Sequence, residues 1–406
     1  MLTREENELL TRVSNGAPMG QMMKNHFWIP AAISHKLVAD GKPLRVRLFG
    51  ENYVLFRATD GRLGFFDEAC PHRGASLALA RNEDNALTCI YHGWKFRVDG
   101  VTVAVPTQPQ NEKAFCERVP LKHYPVREVA GVVWVWLGEG DGQGKFQDFE
   151  FAHLPPGHTV AFRQKVACNW LQGVETTMDS AHLGVLHQSA TAGRGDIELT
   201  SANKAPVYHL VRKPYGFRYA SVRELQDGRS YVRTNSFVLP WYGVISPRYS
   251  HDNGGNLFFS VPIDDENIWY WHIAYRIDAP LDPSEPRLLY QDADDWPPGV
   301  PGSADDNWGQ DRDVMARGHF TGFPQALGTE DFAVIASMGP IVDRTKEFLG
   351  SGDGAVVAVR QALLASVKEF MANKTPKLAC HDQIAYGEIR PRAVVCDDEA
   401  QWRQLL

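Results

Sequence analysis

Cys70-Pro71-His72-Arg73-Gly74 is followed by Cys89-Ile90-Tyr91-His92-Gly93-Trp94, with sixteen residues between His72 and Cys89. Each arm offers one thiol and one imidazole, and each closes on a glycine. Short apolar or alternating runs surround the two arms, at 45–49, 53–58 and 63–66. Gly50-Glu51-Asn52 and Asp60-Gly61 punctuate them as turns. Asp99-Gly100 predicts a hairpin between 94–98 and 101–105. Gly131-Val-Val-Trp-Val-Trp-Leu137 predicts one more strand, and the glycine-rich stretch 138–144 follows it. This part reads as all-β, and the chain is expected to divide into domains at 1–144 and 145–406.

The ligand types restrict the chemistry. Six cysteines in a long chain with no secretory signal read as metal ligands before disulfides. A Cys₂His₂ zinc site uses the same set, but it usually pairs its cysteines on one arm and its histidines on the other. Here thiol and imidazole alternate along the chain. That order suits a Rieske [2Fe–2S] centre, in which two cysteines hold one iron and two histidines the other. Neutral imidazoles in place of two thiolates make such a cluster less negative and raise its potential.

The second part mixes helix and strand. Strands are expected at 217–225, 231–239, 242–246, 256–261 and 268–275, and an amphipathic helix at 355–373. The stretch 169–187 reads as a helix and contains Asp179-x₂-His182-x₄-His187. Glu175, Asp179 and His182 would share one face of it. His187 falls off that face, so both histidines can meet one metal only if the helix breaks between them, and Gly184 is the expected place. Two histidines and one carboxylate make a facial triad with open iron positions. Asp331 is the favoured distant carboxylate, and Glu330 competes next door.

A formal net charge of −7 argues against a nucleic-acid binder. No apolar run is long enough to span a bilayer, and the charged N-terminus lacks the apolar core of a signal peptide. A cytoplasmic location without membrane contact is expected.

These motifs resemble the catalytic (alpha) subunit of Rieske non-haem iron aromatic-ring oxygenases, over nearly the whole chain. The likeness runs from Asn25-His26-Phe27-Trp28-Ile29-Pro30-Ala31 through both Cys/His arms, Asn169-Trp170 and the histidine motif to Glu330-Asp331. Ala336-Ser-Met-Gly-Pro-Ile-Val-Asp-Arg344 is similar to the phthalate dioxygenase-like branch. The resemblance implies an α+β chain: an N-terminal all-β Rieske domain, then a helix-grip-like catalytic domain with a central antiparallel sheet. It implies that Cys70, His72, Cys89 and His92 hold the cluster, and that His182, His187 and Asp331 hold a mononuclear Fe(II). Asp179 would bridge the two centres across a subunit boundary in a homotrimer or stacked hexamer. Asn169 would lie near the iron. Glu175 would stand behind the ligands, or form an ordinary ion pair on its helix.

With no Gly-x-Gly-x-x-Gly fingerprint and no ferredoxin motif, electrons must come from a separate reductase, usually a flavin and [2Fe–2S] protein in this branch. The expected reaction is hydroxylation of an aromatic carboxylate with O₂, such as a phthalate isomer or substituted benzoate. The alternatives are O- or N-demethylation on the same scaffold, or a Rieske electron carrier without oxygenase activity. A carboxylate substrate calls for a cation in the pocket. Lys204 and Arg248 are the favoured positions, while Arg218 and Arg233 are expected at the surface and Trp241-Tyr242 in the core.

Overall fold

The computed structural model describes residues 2–108, 110–119, 121–247, 253–282, 302–324 and 326–406. It packs as two units, 24–146 and 1–23 with 147–406. The boundary after the glycine-rich stretch thus falls two residues later than the expected 144, and the first 23 residues join the second unit. Their bonds explain this. Val13 and Ser14 N–H donate to Asp265 (2.8 and 3.0 Å), and Trp170 Nε1 donates to the Leu10 carbonyl (3.1 Å).

The unit 24–146 is built from three antiparallel sheets. One holds Leu44–Leu48, Glu51–Arg57 and Leu63–Asp67. The second holds four strands between Arg81 and Ala104. The third joins Ile29–Ile33, Val132–Val135 and Val126–Val129. Val54, Phe56, Phe66, Leu87 and Phe96 form its core, and Cys70 and Cys89 lie in the same cluster.

In the other unit an antiparallel sheet of eight strands carries the architecture. Its spatial order is Thr159–Val166, Ile268–Arg276, Gly254–Pro262, Tyr242–Ile245, Ser230–Val238, Gly216–Glu224, Val207–Lys213. Arg392–Cys396 also pairs with Ser230–Val238. Each strand expected in this unit is present within two residues of its expected ends. The helix Trp170–Met178 lies against Gly254–Pro262. Gly173 allows that approach, since a Cβ there would stand 2.2 Å from Ser260 Oγ. The helix Gly354–Met371 turns Val356, Val359, Leu363 and Val367 inward, as its periodicity predicts. Among the described residues no helix is long and apolar enough to cross a membrane.

Glu175 sits in a buried, charge-balanced cluster. Arg344 donates to it through Nε (2.9 Å) and Nη2 (2.8 Å), and Arg360 through Nε (2.7 Å). Arg360 also forks onto Glu347. Glu175 is therefore an ion-pair residue, buried rather than on an open helix face, and it does not line the candidate site. Burial raises its pKa, but the two guanidinium groups outweigh burial and hold it below the usual range. Glu175→Ala leaves two buried cations short of a partner and is expected to cost about 3–5 kcal/mol, read as a lower denaturant midpoint. Because the folded pKa is depressed, this contribution is full above the unfolded value. It is lost as pH falls through the folded one.

Candidate metal centres and cavity

The two Cys/His arms fold as matching loops. Cys70 N–H donates to the Ala75 carbonyl and Gly74 N–H to the Cys70 carbonyl, both at 2.8 Å. The second arm repeats this, with Cys89 N–H on Trp94 (2.8 Å) and Gly93 N–H on Cys89 (2.9 Å). Gly74 and Gly93 both have φ of +74°, a region that side chains make costly. The repeat brings the four donors together. The His72 and His92 rings are 4.4 Å apart, and Trp94 stacks on His72 at 4.5 Å. Burial, and then the nearby Cys89 thiol, push the Cys70 pKa up to about 11, against N–H groups of His72 and Arg73 directed at its sulfur.

His72 Nδ1 is buried without a hydrogen-bond partner. An orphaned imidazole nitrogen beside two free buried thiols is what a mixed-ligand iron–sulfur cluster requires, and Cys70, His72, Cys89 and His92 fit it. N–H groups already aimed at the Cys70 sulfur would stabilise its thiolate.

In the other unit, the stretch expected as one helix is divided. Asn169 caps it, accepting from Leu171 N–H (3.1 Å), and the helix ends at Met178. A first break lies at Asp179–Ser180, before His182, and a second follows Gly184, between the two histidines as expected. Other partners take the backbone groups that would continue the helix. Ala181 N–H donates to Asp179 Oδ1 (2.7 Å), Ser180 N–H to Tyr208 Oη (3.1 Å), and Tyr219 O–H to the Met178 carbonyl (2.9 Å). Glu175, Asp179 and His182 therefore do not share a helix face. A 3-10 turn, His182–Gly184, and a short helix, Gln188–Thr191, carry the chain onward.

The two breaks bring His182 and His187 round to Asp331 on the helix Leu327–Ser337. Asp331 Oδ1 is 3.1 Å from His187 Nε2 and 3.5 Å from His182 Nε2. One ligand atom from each residue lies within 4.8 Å of the others. Ligands bound at about 2.1 Å on one face of a metal stand roughly 3 Å apart, so this set fits a 2-His-1-carboxylate centre. Glu330 is not the third donor. It accepts from His187 Nδ1 (2.6 Å) and from Thr321 Oγ1, behind the His187 ring. Glu330 and Asp331 are adjacent on one helix, which places their two carboxylates on different sides. Burial lowers the His187 pKa, but Asp331 and Glu330 outweigh it and raise it to about 9. Asp179 Oδ2 stands 3.5 Å from His182 Nδ1, which is buried and has no hydrogen bond.

Asn169 does not reach this group. Fully buried, it donates to the carbonyls of Thr11 (2.9 Å) and Asp265 (2.7 Å), and so ties the N-terminal segment to the helix.

Asp179, His182, His187 and Asp331 border a cavity of about 190 Å³, closed elsewhere by the sheet through Tyr219, Arg233, Asn235, Phe258 and Tyr270. Arg233 overturns its expected surface position. It is 2% exposed, because the strand Ser230–Val238 is covered on both faces and its alternation marks no outer side. Arg218 is half-buried and donates to the Arg390 carbonyl (2.7 Å), away from the cavity. Lys204 is exposed on the turn before Val207–Lys213 and does not line the cavity either. Arg248 lies outside the described residues. Trp241 and Tyr242 are core residues, with Tyr242 packed on Phe149 and Phe259.

Family models match both units, the Rieske [2Fe-2S] domain over residues 27–125 and the LigXa C-terminal domain like family over 135–406. The chain is 39% identical to the phthalate 4,5-dioxygenase oxygenase subunit of Pseudomonas putida, over 92% of this chain and 88% of that one. It is 33% identical to the 3-chlorobenzoate-3,4-dioxygenase oxygenase subunit of Comamonas testosteroni, over 92% and 91%. Among solved structures, dicamba monooxygenase bound to dicamba shares the fold, with a TM-score of 0.61 and 19% identity over 87% of this chain and 99% of that one. A match to the catalytic family over two thirds of the chain sets aside a Rieske electron carrier without oxygenase activity. The chain belongs to the Rieske non-haem iron oxygenases, as a terminal oxygenase component that carries a [2Fe–2S] cluster and a mononuclear iron.

Proposed function

We propose that this oxygenase hydroxylates an aromatic carboxylate, adding both atoms of O₂ to the ring, and that Arg233 holds the carboxylate. One observation carries the reading. Arg233 is a buried cation on the cavity wall with no carboxylate partner among the described residues. Its hydrogen-bond acceptors are neutral: Tyr231 Oη (3.2 Å) and the carbonyls of Ser246 (2.9 Å) and Pro247 (3.2 Å). Its Nε has none. A buried guanidinium left uncompensated costs several kcal/mol, and an anionic ligand removes that cost. Phthalate and chlorobenzoate, named in the two relatives, are aromatic carboxylates.

Cys70, Cys89, His72 and His92 are proposed to hold the cluster, and His182, His187 and Asp331 the iron. When bound, the cluster supplies electrons singly and the iron activates O₂. Phe258 and Tyr270 flank the ring and exclude water, while Glu330 fixes the orientation of His187. A separate flavin and [2Fe–2S] reductase delivers the electrons. In a homotrimer, stacked or single, Asp179 of one subunit accepts a hydrogen bond from His92 of the next and passes the electron towards His182.

Arg233→Met is expected to weaken binding of a carboxylate substrate by about 10- to 100-fold and leave its methyl ester unaffected. Equal weakening of both ligands sinks the assignment. Reaction class is read by mass spectrometry of products made from labelled O₂, NADH and a phthalate-type reductase. Two labelled atoms in a dihydrodiol support the proposal. An unlabelled phenol with release of labelled formaldehyde replaces it with demethylation.

A further inference from the structure

Arg233 takes its direction from Tyr231 Oη and from two main-chain carbonyls, Ser246 and Pro247, just beyond the end of Tyr242–Ile245. What fixes those carbonyls therefore helps to fix the guanidinium. Ser246 is anchored by a single side chain, since its N–H and its hydroxyl both donate to Asn235 Oδ1, each at 2.9 Å. Asn235 Nδ2 in turn donates to Tyr219 Oη (3.0 Å), and that hydroxyl donates to the Met178 carbonyl (2.9 Å).

Proton direction along this chain is determined at every step. The Ser246 N–H can only donate, so the amide oxygen of Asn235 must face it. Tyr219 spends its one proton on a carbonyl, so it must accept from the amide nitrogen. Asn235 is the side chain that supplies an acceptor on one side and a donor on the other. Tyr219, Asn235, Ser246 and Arg233 are each 2% exposed or less, so water does not replace a lost bond cheaply. The sheet places them together: Asn235 is opposite Tyr219 in the ladder and two residues from Arg233, so all three side chains share the face that borders the cavity.

We propose that Asn235 is a positioning residue that sets the anion preference of the cavity by holding Ser246, and through its carbonyl Arg233, in the carboxylate-binding orientation. The proposal rests on Arg233 as the carboxylate anchor. Asn235 itself contacts the arginine's support and not the charge, so its loss acts on discrimination between charged and neutral rings.

The test measures binding of benzoate and benzamide, equal in shape and different in charge, to the metal-loaded oxygenase by calorimetry. Wild-type protein is expected to prefer benzoate. Asn235→Ala should lower the benzoate-to-benzamide affinity ratio about tenfold, or ~1.4 kcal/mol, with benzamide affinity kept. Ser246→Ala removes one of the two bonds to Asn235 and should lower the ratio by about threefold, so it carries the test if Asn235→Ala does not fold. A ratio unchanged in the folded variants, or a parallel loss for both ligands, overturns the proposal. A wild-type protein with no preference for benzoate overturns the carboxylate reading itself, which is a distinguishable result.

Discussion

Asp331→Ala is expected to reduce turnover on the order of 10³-fold or more while the iron content falls to about two per chain, the cluster's own pair. Its Oδ1 faces the Nε2 atoms of both His187 (3.1 Å) and His182 (3.5 Å). Without it two imidazoles remain, and Glu330 cannot substitute because His187 Nδ1 and Thr321 already engage its oxygens. The cluster ligands belong to the other unit, so the visible and EPR signals of the [2Fe–2S] centre should persist. Iron analysis and EPR on one preparation check both halves. A variant that keeps its full iron and its activity would remove Asp331 from the ligand set.

Asp179→Asn should produce the opposite pattern. Both metal centres stay loaded, and turnover falls about 10²-fold or more. Asp179 lies outside the ligand set but close to His182 Nδ1, at 3.5 Å, and its carboxylate is partly open to the outside, with 26% of the side chain exposed. Burial raises its pKa, but His182 and the N–H groups of Ala181 and His182 outweigh burial and hold it ionised. An amide keeps the shape and removes the charge. Stopped-flow reoxidation of the reduced cluster, with substrate and O₂ present, isolates the step. Slow reoxidation with iron retained places Asp179 on the electron route. Reoxidation at the wild-type rate sinks that route, and loss of iron reduces Asp179 to a support for His182.

The two Cys/His loops were legible because each arm is local, so four candidate ligands and two glycines can be read within a few residues of one another. Most strands were legible from short apolar runs bounded by turns. Seven strands were not: Ile29–Ile33, Arg81–Glu83, Ala86–Thr88 and Val126–Val129 in the unit 24–146, and three in the other. Thr159–Val166 carries Arg163, Gln164 and Lys165 in succession, Val207–Lys213 is an exposed edge, and Arg392–Cys396 borrows its pairing from a strand more than 150 residues earlier. The meeting of Asp331 with the histidines could not be derived from spacing, since it depends on two helices packing together. The break at Asp179 had a local signal, an Asp-Ser pair able to turn the chain, which the periodicity of 169–187 obscured. Arg233 was misplaced because burial statistics for arginine favour the surface, while the strand Ser230–Val238 is covered on both faces.

The attachment of residues 1–23 to the later unit has a consequence during synthesis. Val13 finds its Asp265 partner 252 residues downstream, and Asn7 its Val342 partner 335 residues downstream. At about 5–20 residues per second the ribosome takes roughly 13–50 s to bridge the shorter of these gaps. All the strands of the unit 24–146 have been made long before then. The nascent chain therefore carries the helix Arg4–Thr11 without these partners while the cluster loops take shape; Asn169 and Trp170 reach it next, and Asp265 and Val342 complete its seat later.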